Sequence, residues 1–159
     1  MNKLYLLLGS NMGNSKARLS KAIQQIEKQI GCVTRRSDLY TTAAWGNTQQ
    51  PDFLNQVIIV ETKLTALQTM QTILLIEKKM GRLRTVKNAP RIIDIDILFF
   101  NKEIIDRQQL TVPHPQIQNR RFVLVPLNQL SPNLHHPVLK KTIHQLLIHC
   151  PDKLNVKKF

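Results

Sequence analysis

Acidic residues are scarce in this sequence. Asp and Glu total 10 against 23 Lys and Arg in 159 residues, giving a formal net charge of +13. Such an excess favours an anionic partner: a nucleotide, a nucleic acid or an acidic membrane surface. Charge alone goes no further, because a basic protein with no such partner satisfies it equally. Cysteine is rare too. Cys32 and Cys150 make no disulfide framework and fit no zinc spacing. They are read as free thiols in a reducing cytoplasm. Aromatics are only 5% of the chain, which weighs against the exposed stacking surface of an RNA-binding sheet. The apolar run Leu4–Leu8 is too short for a signal peptide or a membrane span, so no membrane partner is expected. Repeats, low-complexity tracts and linkers are missing. One domain over residues 1–159 is expected, long enough to bury a full core.

What is present alternates in period. Leu4–Leu8, closed by Gly9, reads as a central strand. Leu19, Ala22, Ile23, Ile26 and Ile30 form the stripe of an amphipathic helix, with Gly31 as its stop. Val33–Tyr40 reads as a weak strand and Phe53–Thr62 as a strong one. A second helix is expected over Leu64–Met80, burying Leu67, Met70, Ile73 and Leu74, and ended by Gly81. Ile92–Phe100 is the third strong strand, followed by a hairpin around Asn101-Lys102. Further on come a short helix interrupted by Pro126 and a last helix over Ile143–His149. The order β-α-β-β-α-β predicts an α+β, ferredoxin-like sandwich: an antiparallel sheet, two helices on one face, and extra C-terminal elements.

The chemistry concentrates in Pro90–Leu98. Along a strand, Ile93, Ile95, Ile97 and Phe99 would enter a core, leaving Asp94 and Asp96 on the other face, about 7 Å apart. Paired carboxylates on a central strand are costly without a cation, and magnesium takes one or two carboxylates plus phosphate oxygens and water. A solvated strand face is the plain alternative. The preceding segment holds Lys78, Lys79, Arg82, Arg84, Lys87 and Arg91 with no intervening acid. A cationic loop feeding an acidic metal site suits phosphoryl transfer. Neither a G-x-x-x-x-G-K-[ST] loop nor the protein-kinase signature set occurs.

Lys87 followed by Asn88-Ala89-Pro90-Arg91-Ile92-Ile93-Asp94-Ile95-Asp96-Ile97-Leu98 resembles the signature of the 6-hydroxymethyl-7,8-dihydropterin pyrophosphokinases of folate biosynthesis. Gly9-Ser10-Asn11, Tyr40-Thr41-Thr42, Gln50–Asn55, Glu77, Gly81–Arg84, Leu110–His114, Asn119-Arg120 and Phe122 extend the likeness over about residues 2–130. The resemblance implies transfer of pyrophosphate from ATP to the pterin hydroxymethyl group, releasing AMP. It implies two magnesium ions on Asp94 and Asp96, and Arg82, Arg84 and Arg91 on the triphosphate. Glu77, Leu110, Thr111, His114 and Arg120 would line the nucleotide site. Thr42, Trp45, Phe53, Asn55 and Phe122 would form the pterin slot, with Asp94 at its edge. The catalytic set is then Arg82, Arg91, Asp94 and Asp96. Taken singly, without the resemblance, Phe53 and Phe122 read first as core aromatics and His114 as a buried histidine. Ala43-Ala44 stands where the family has a proline pair, and the loop from Arg84 to Arg91 is one residue shorter, without its usual aromatic.

The resemblance therefore implies a monomeric cytoplasmic diphosphokinase whose partners are ATP and the pterin, and not nucleic acid. Three loops, Ser10–Lys16, Thr42–Asp52 and Arg82–Pro90, are expected to gate it. The rival reading, a ferredoxin-like RNA-binding module, leaves Asp94 and Asp96 without a role.

Overall fold

Leu4, Leu6 and Leu8 face one way along the first strand, Tyr5 and Leu7 the other, and all five are buried. A strand buried on both faces reads as a continuous apolar run. That explains Leu4–Leu8 and makes this strand the spine of the molecule. The structure, a computed structural model, describes residues 1–43, 50–82 and 91–159. Its elements are β1 (Asn2–Ser10), α1 (Ser15–Gln29), β2 (Gly31–Arg36), β3 (Tyr40–Thr42), β4 (Phe53–Thr62), α2 (Ala66–Lys79), β5 (Asp94–Phe100), β6 (Ile105–Asp106), β7 (Thr111–Val112), α3 (Arg121–Leu130), α4 (Ile143–Ile148) and β8 (Lys157–Lys158).

The main sheet is antiparallel in order β5-β1-β4-β3-β8, with β2 also pairing β4. Read without its short strands, the order β5-β1-β4-β2 is the ferredoxin-like one. α1 and α2 cover one face through Leu19, Ile23, Ile26, Ile73 and Ile76. α3 and α4 cover the other through Val123, Leu124, Leu127, Ile143 and Leu146. The expected two-helix layer is present, and the C-terminal third supplies a third layer. Among the described residues, no helix is long and apolar enough to cross a membrane.

Several details differ from the sequence reading. Gly31 does not stop α1. The helix ends at Ile30 with a right-handed backbone (φ −113°, ψ −58°), and Gly31 opens β2. A Cβ on Gly31 would lie 2.0 Å from the Glu61 carbonyl oxygen, so close strand approach is what requires glycine there. Val33–Tyr40 spans two strands, β2 and β3, because the ladder with β4 that runs to Arg36↔Ile58 lapses before Tyr40↔Asn55 resumes it. On α2, Leu67 and Leu74 are 40% and 42% exposed. The helix starts at Ala66 behind a Thr65–Gln68 capping box, and its buried residues are Ala66, Thr69, Ile73, Ile76 and Glu77. Thr69 joins that stripe because its hydroxyl donates to the Thr65 carbonyl at 2.8 Å, a position that apolar periodicity skips.

Phe99 does not follow Ile93, Ile95 and Ile97. The pairing runs Leu6↔Ile97, then Tyr5↔Phe99, so Leu98 is bulged. The bulge flips the remainder of β5: Phe99 packs on the α3 side, and Phe100 takes its place beside α1 and α2. The hairpin turns at Arg107–Leu110 between β6 and β7, while Asn101, at φ 51°, only ends β5. α3 contains Pro126 without being interrupted by it. The burial of Val123, Leu124, Leu127 and Leu130 around it offsets the lost hydrogen bond.

Candidate active site

Asp94 and Asp96 open β5 opposite Gly9 and Leu7 of β1, and both side chains face the α3 side of the sheet. How the preceding helix ends sets their surroundings. Gly81 takes a left-handed backbone (φ 92°), its N–H bonds to the Lys78 carbonyl, and the Arg82 N–H bonds to the Glu77 carbonyl. This pair of bonds is a Schellman turn. In place of the usual apolar contact across it stands an ion pair. Arg82 Nη1 donates to Glu77 Oε2 at 2.7 Å and to Asp94 Oδ1 at 2.5 Å. Glu77 Oε2 also accepts the Ile95 N–H at 2.8 Å. Arg91 Nη1 donates to Asp94 Oδ2 at 2.8 Å. Both Asp94 oxygens are therefore held by guanidinium groups.

Asp96 differs. It has no hydrogen-bond or ion-pair partner among the described residues. Its carboxyl is pushed up to about 7, first by desolvation, then by the charges of Asp94 and Glu77, against the opposing pull of Arg120 and Arg82. Among the described residues, no basic side chain bonds this carboxylate. A hard divalent cation fits that lack. Among the described residues no group of three His, Cys, Asp or Glu is placed to hold a metal ion, so two carboxylates would leave the remaining positions to phosphate and water.

Two clefts meet here. The first, about 470 Å³, is lined by Thr42, Phe53, Asn55, Arg91, Arg120 and Phe122 along with both aspartates. Its floor includes Gly9, where a Cβ would lie 2.8 Å from Asn55 Oδ1. Asn55 Nδ2 donates to Thr42 Oγ1 at 3.3 Å. The Arg120 guanidinium stands 5.8 Å over the Phe122 ring. The second, about 850 Å³, follows the outer edge of β5 and is lined by Asp96, Leu110, Thr111 and His114, with Met70 and Ile73 of α2. His114 is pushed down to about 4, by burial first and by the Arg120 charge second, so it is neutral. Its Nδ1 accepts the Gln116 N–H, which puts the proton on Nε2.

The expected residues are thus largely assembled, with three departures. Glu77 lines neither cleft: it is 2% exposed and supports Arg82 and Ile95 from below. Arg120 stands in the first cleft rather than the second. Trp45 and Arg84 lie outside the described residues. Two residues were missed as site elements. In the sequence Gly9 has the role of a strand stop and, with Asn11, a place in a family motif, but no role in the site. Asn11, 2% exposed, exchanges two bonds with the Arg91 backbone and donates to Gln50 Oε1 and the Pro51 carbonyl. It thereby fastens the loop after β1 to one edge of each of the other two expected gating loops. An isolated polar residue in a loop gives no periodic signal.

The sequence model of the 7,8-dihydro-6-hydroxymethylpterin-pyrophosphokinase family matches residues 5–132. The chain belongs to that family. It is 37% identical over 145 residues to the 2-amino-4-hydroxy-6-hydroxymethyldihydropteridine pyrophosphokinase of Aquifex aeolicus, covering 91% of this chain and 90% of the relative. It is 39% identical over 141 residues to the protein of the same name in Synechocystis, covering 88% of this chain and 72% of that one. Against the Folic acid synthesis protein FOL1 of Dictyostelium discoideum, identity is 35% over 98% of this chain but only 23% of the relative. The fold matches a Plasmodium falciparum HPPK-DHPS crystal structure at a TM-score of 0.77 and 21% identity, over 92% of this chain and 45% of that one. Members of the pyrophosphokinase family thus occur both as chains of this length and within longer proteins.

Proposed function

We propose that this chain is a magnesium-dependent diphosphokinase that transfers the pyrophosphoryl group of ATP to the hydroxymethyl oxygen of 6-hydroxymethyl-7,8-dihydropterin, releasing AMP, as a step of folate biosynthesis. One observation carries the reading: Asp96, with no hydrogen-bond or ion-pair partner among the described residues, lines both clefts, where two bound substrates would meet.

The first cleft takes the pterin. Phe53 and Phe122 offer aromatic surface to a flat heterocycle, and the Asn55 amide offers a donor and an acceptor to its edge. Trp45 is assigned to the same slot. The second cleft takes the nucleotide against Leu110, Thr111 and the His114 Nε2–H. Asp94 and Asp96 are the magnesium ligands at the junction, for two ions. Magnesium held by these two residues would supply charge to the phosphate oxygens and acidity to the attacking alcohol. Arg82 holds Asp94 in place, Arg91 adds charge beside it, and Arg84 is assigned to the triphosphate. Together they offset charge on the transferred group and on the AMP that leaves. The alcohol oxygen attacks the β-phosphorus, and the bond from that phosphorus to the α,β-bridging oxygen breaks. Asn11 links the loop edges whose closure excludes water as a competing acceptor.

The test is Asp96→Ala and Asp94→Ala, assayed with magnesium, ATP and hydroxymethyldihydropterin. Turnover falls by at least about a thousandfold while circular dichroism stays native. Full activity in either variant contradicts the metal assignment.

A further inference from the structure

The first turn of α3 carries two side chains of the first cleft, Arg120 and Phe122, yet it has no cap of its own. Arg120 is the N-cap residue, extended at φ −127° and ψ 106°, and its side chain caps nothing. The opening N–H groups of a helix have no partner within it. Here an acceptor arrives from far along the chain. Asp152 Oδ2 accepts the Arg121 N–H at 3.0 Å, and Asp152 Oδ1 accepts the Leu154 N–H at 2.9 Å. Asp152 is 8% exposed and lies beyond the residues 5–132 that the family model matches.

We propose that Asp152 is a positioning residue for the first cleft, fixing Arg120 and Phe122 by capping α3. The carboxylate meets an orphan donor and sets negative charge at the positive end of the helix. Arg120 is tied to that turn and stacks on Phe122, so slack at Arg121 moves both lining groups together. The cap is itself anchored. Past Leu154 the chain forms β8, which pairs Lys157 with Thr41 and Lys158 with Tyr40. The Phe159 N–H donates to the Leu39 carbonyl at 2.8 Å. β3 ends at Thr42, another lining residue of the same cleft. The segment Asp152–Phe159 therefore joins two parts of the cleft wall that the sheet alone does not join.

The experiment compares Asp152→Ala, Asp152→Asn and a core control, Ile26→Val in α1, in the full chain. Affinity for 6-hydroxymethylpterin is read from the fluorescence of the pterin, and amide exchange is read at Arg121 and Phe122. Asp152→Ala weakens pterin binding about tenfold and speeds exchange at both amides. Asp152→Asn keeps one acceptor oxygen but loses the charge and the second acceptor, so both readouts fall between those of wild type and Asp152→Ala. Ile26→Val lowers stability without moving either. Pterin affinity unchanged in Asp152→Ala, or weakened equally in the control, overturns the proposal. The naming of the ligand rests on the proposed function, and the exchange readout separates the two. If wild-type protein binds no pterin, that reading of the cleft fails, while unchanged exchange in Asp152→Ala overturns the cap whatever the cleft binds.

Discussion

Glu77 and Arg82 occupy the two ends of one Schellman turn, and their side chains close across it at 2.7 Å. The turn that ends α2 thereby becomes the support of the acidic site. Arg82 reaches Asp94 from one side, and Glu77 accepts the Ile95 N–H from the other. The end of α2 and the start of β5 form one ionic unit.

Removing the Glu77 carboxylate leaves the Ile95 N–H without this acceptor and Arg82 with less negative charge around it. Glu77→Ala is expected to cost about 3 kcal/mol in urea unfolding. Glu77→Gln keeps an acceptor for Ile95 and costs less. Equal losses in the two variants would mean that the amide contact contributes nothing.

Asp96 sets a pH dependence. Its carboxyl is raised from 3.8 to about 7 in the folded chain. A raised acid favours the fold while neutral, so that contribution is complete below about pH 4 and is lost as pH climbs through 7. Without metal, this group makes stability fall between those values. On the proposed assignment magnesium would bind the ionised form, so its affinity is expected to rise with pH up to about 7 and then level, with proton release below that point. Calorimetry in two buffers of different ionisation enthalpy reads the released proton. A magnesium affinity constant from pH 5 to 8 would remove Asp96 from the ligand set.

Gly9→Ala places a methyl group 2.8 Å from Asn55 Oδ1 and 3.9 Å from the Phe53 ring. Asn55 must then turn away from Thr42, and the pterin loses both depth and its amide contact. The KM for the pterin is expected to rise about tenfold or more, with the KM for ATP within about twofold. Parallel increases in both would place Gly9 outside the pterin slot.

His136 is 4% exposed, accepts the Val138 and Leu139 N–H groups on Nδ1, and meets the Phe99 ring edge-on at 5.6 Å. Burial holds its imidazole below the ordinary 6.5. A depressed histidine supports the fold above that ordinary value and withdraws the support as pH falls below it. Melting temperature is expected to drop on acidification from about pH 6.5, and His136→Asn, which keeps an acceptor but cannot titrate there, softens the drop. An identical acid limb in the variant would assign the loss elsewhere.

Much of this was legible in residue order. Period-two and period-3.6 patterns located the long strands and helices, and the Asp94/Asp96 alternation placed both carboxylates on one face. What escaped depended on contacts distant in sequence. The Leu98 bulge arises from pairing with β1, so no local pattern in Ile92–Phe100 marks it. Thr69 is buried because it bonds its own helix. Asp152 sits in a stretch with no periodicity, and its meaning comes from a helix start 31 residues away. Glu77, read as a nucleotide contact, is held under the site by a turn that Gly81 marked only as an ending.

The most direct test follows the fate of ATP. Purified protein is mixed with ATP and magnesium, with and without 6-hydroxymethyl-7,8-dihydropterin, and the nucleotide products are separated. The account predicts AMP and pterin diphosphate in equal amounts, formed only when the pterin is present and lost in Asp96→Ala. ADP as the pterin-dependent product, or AMP formed at the same rate without the pterin, would contradict it.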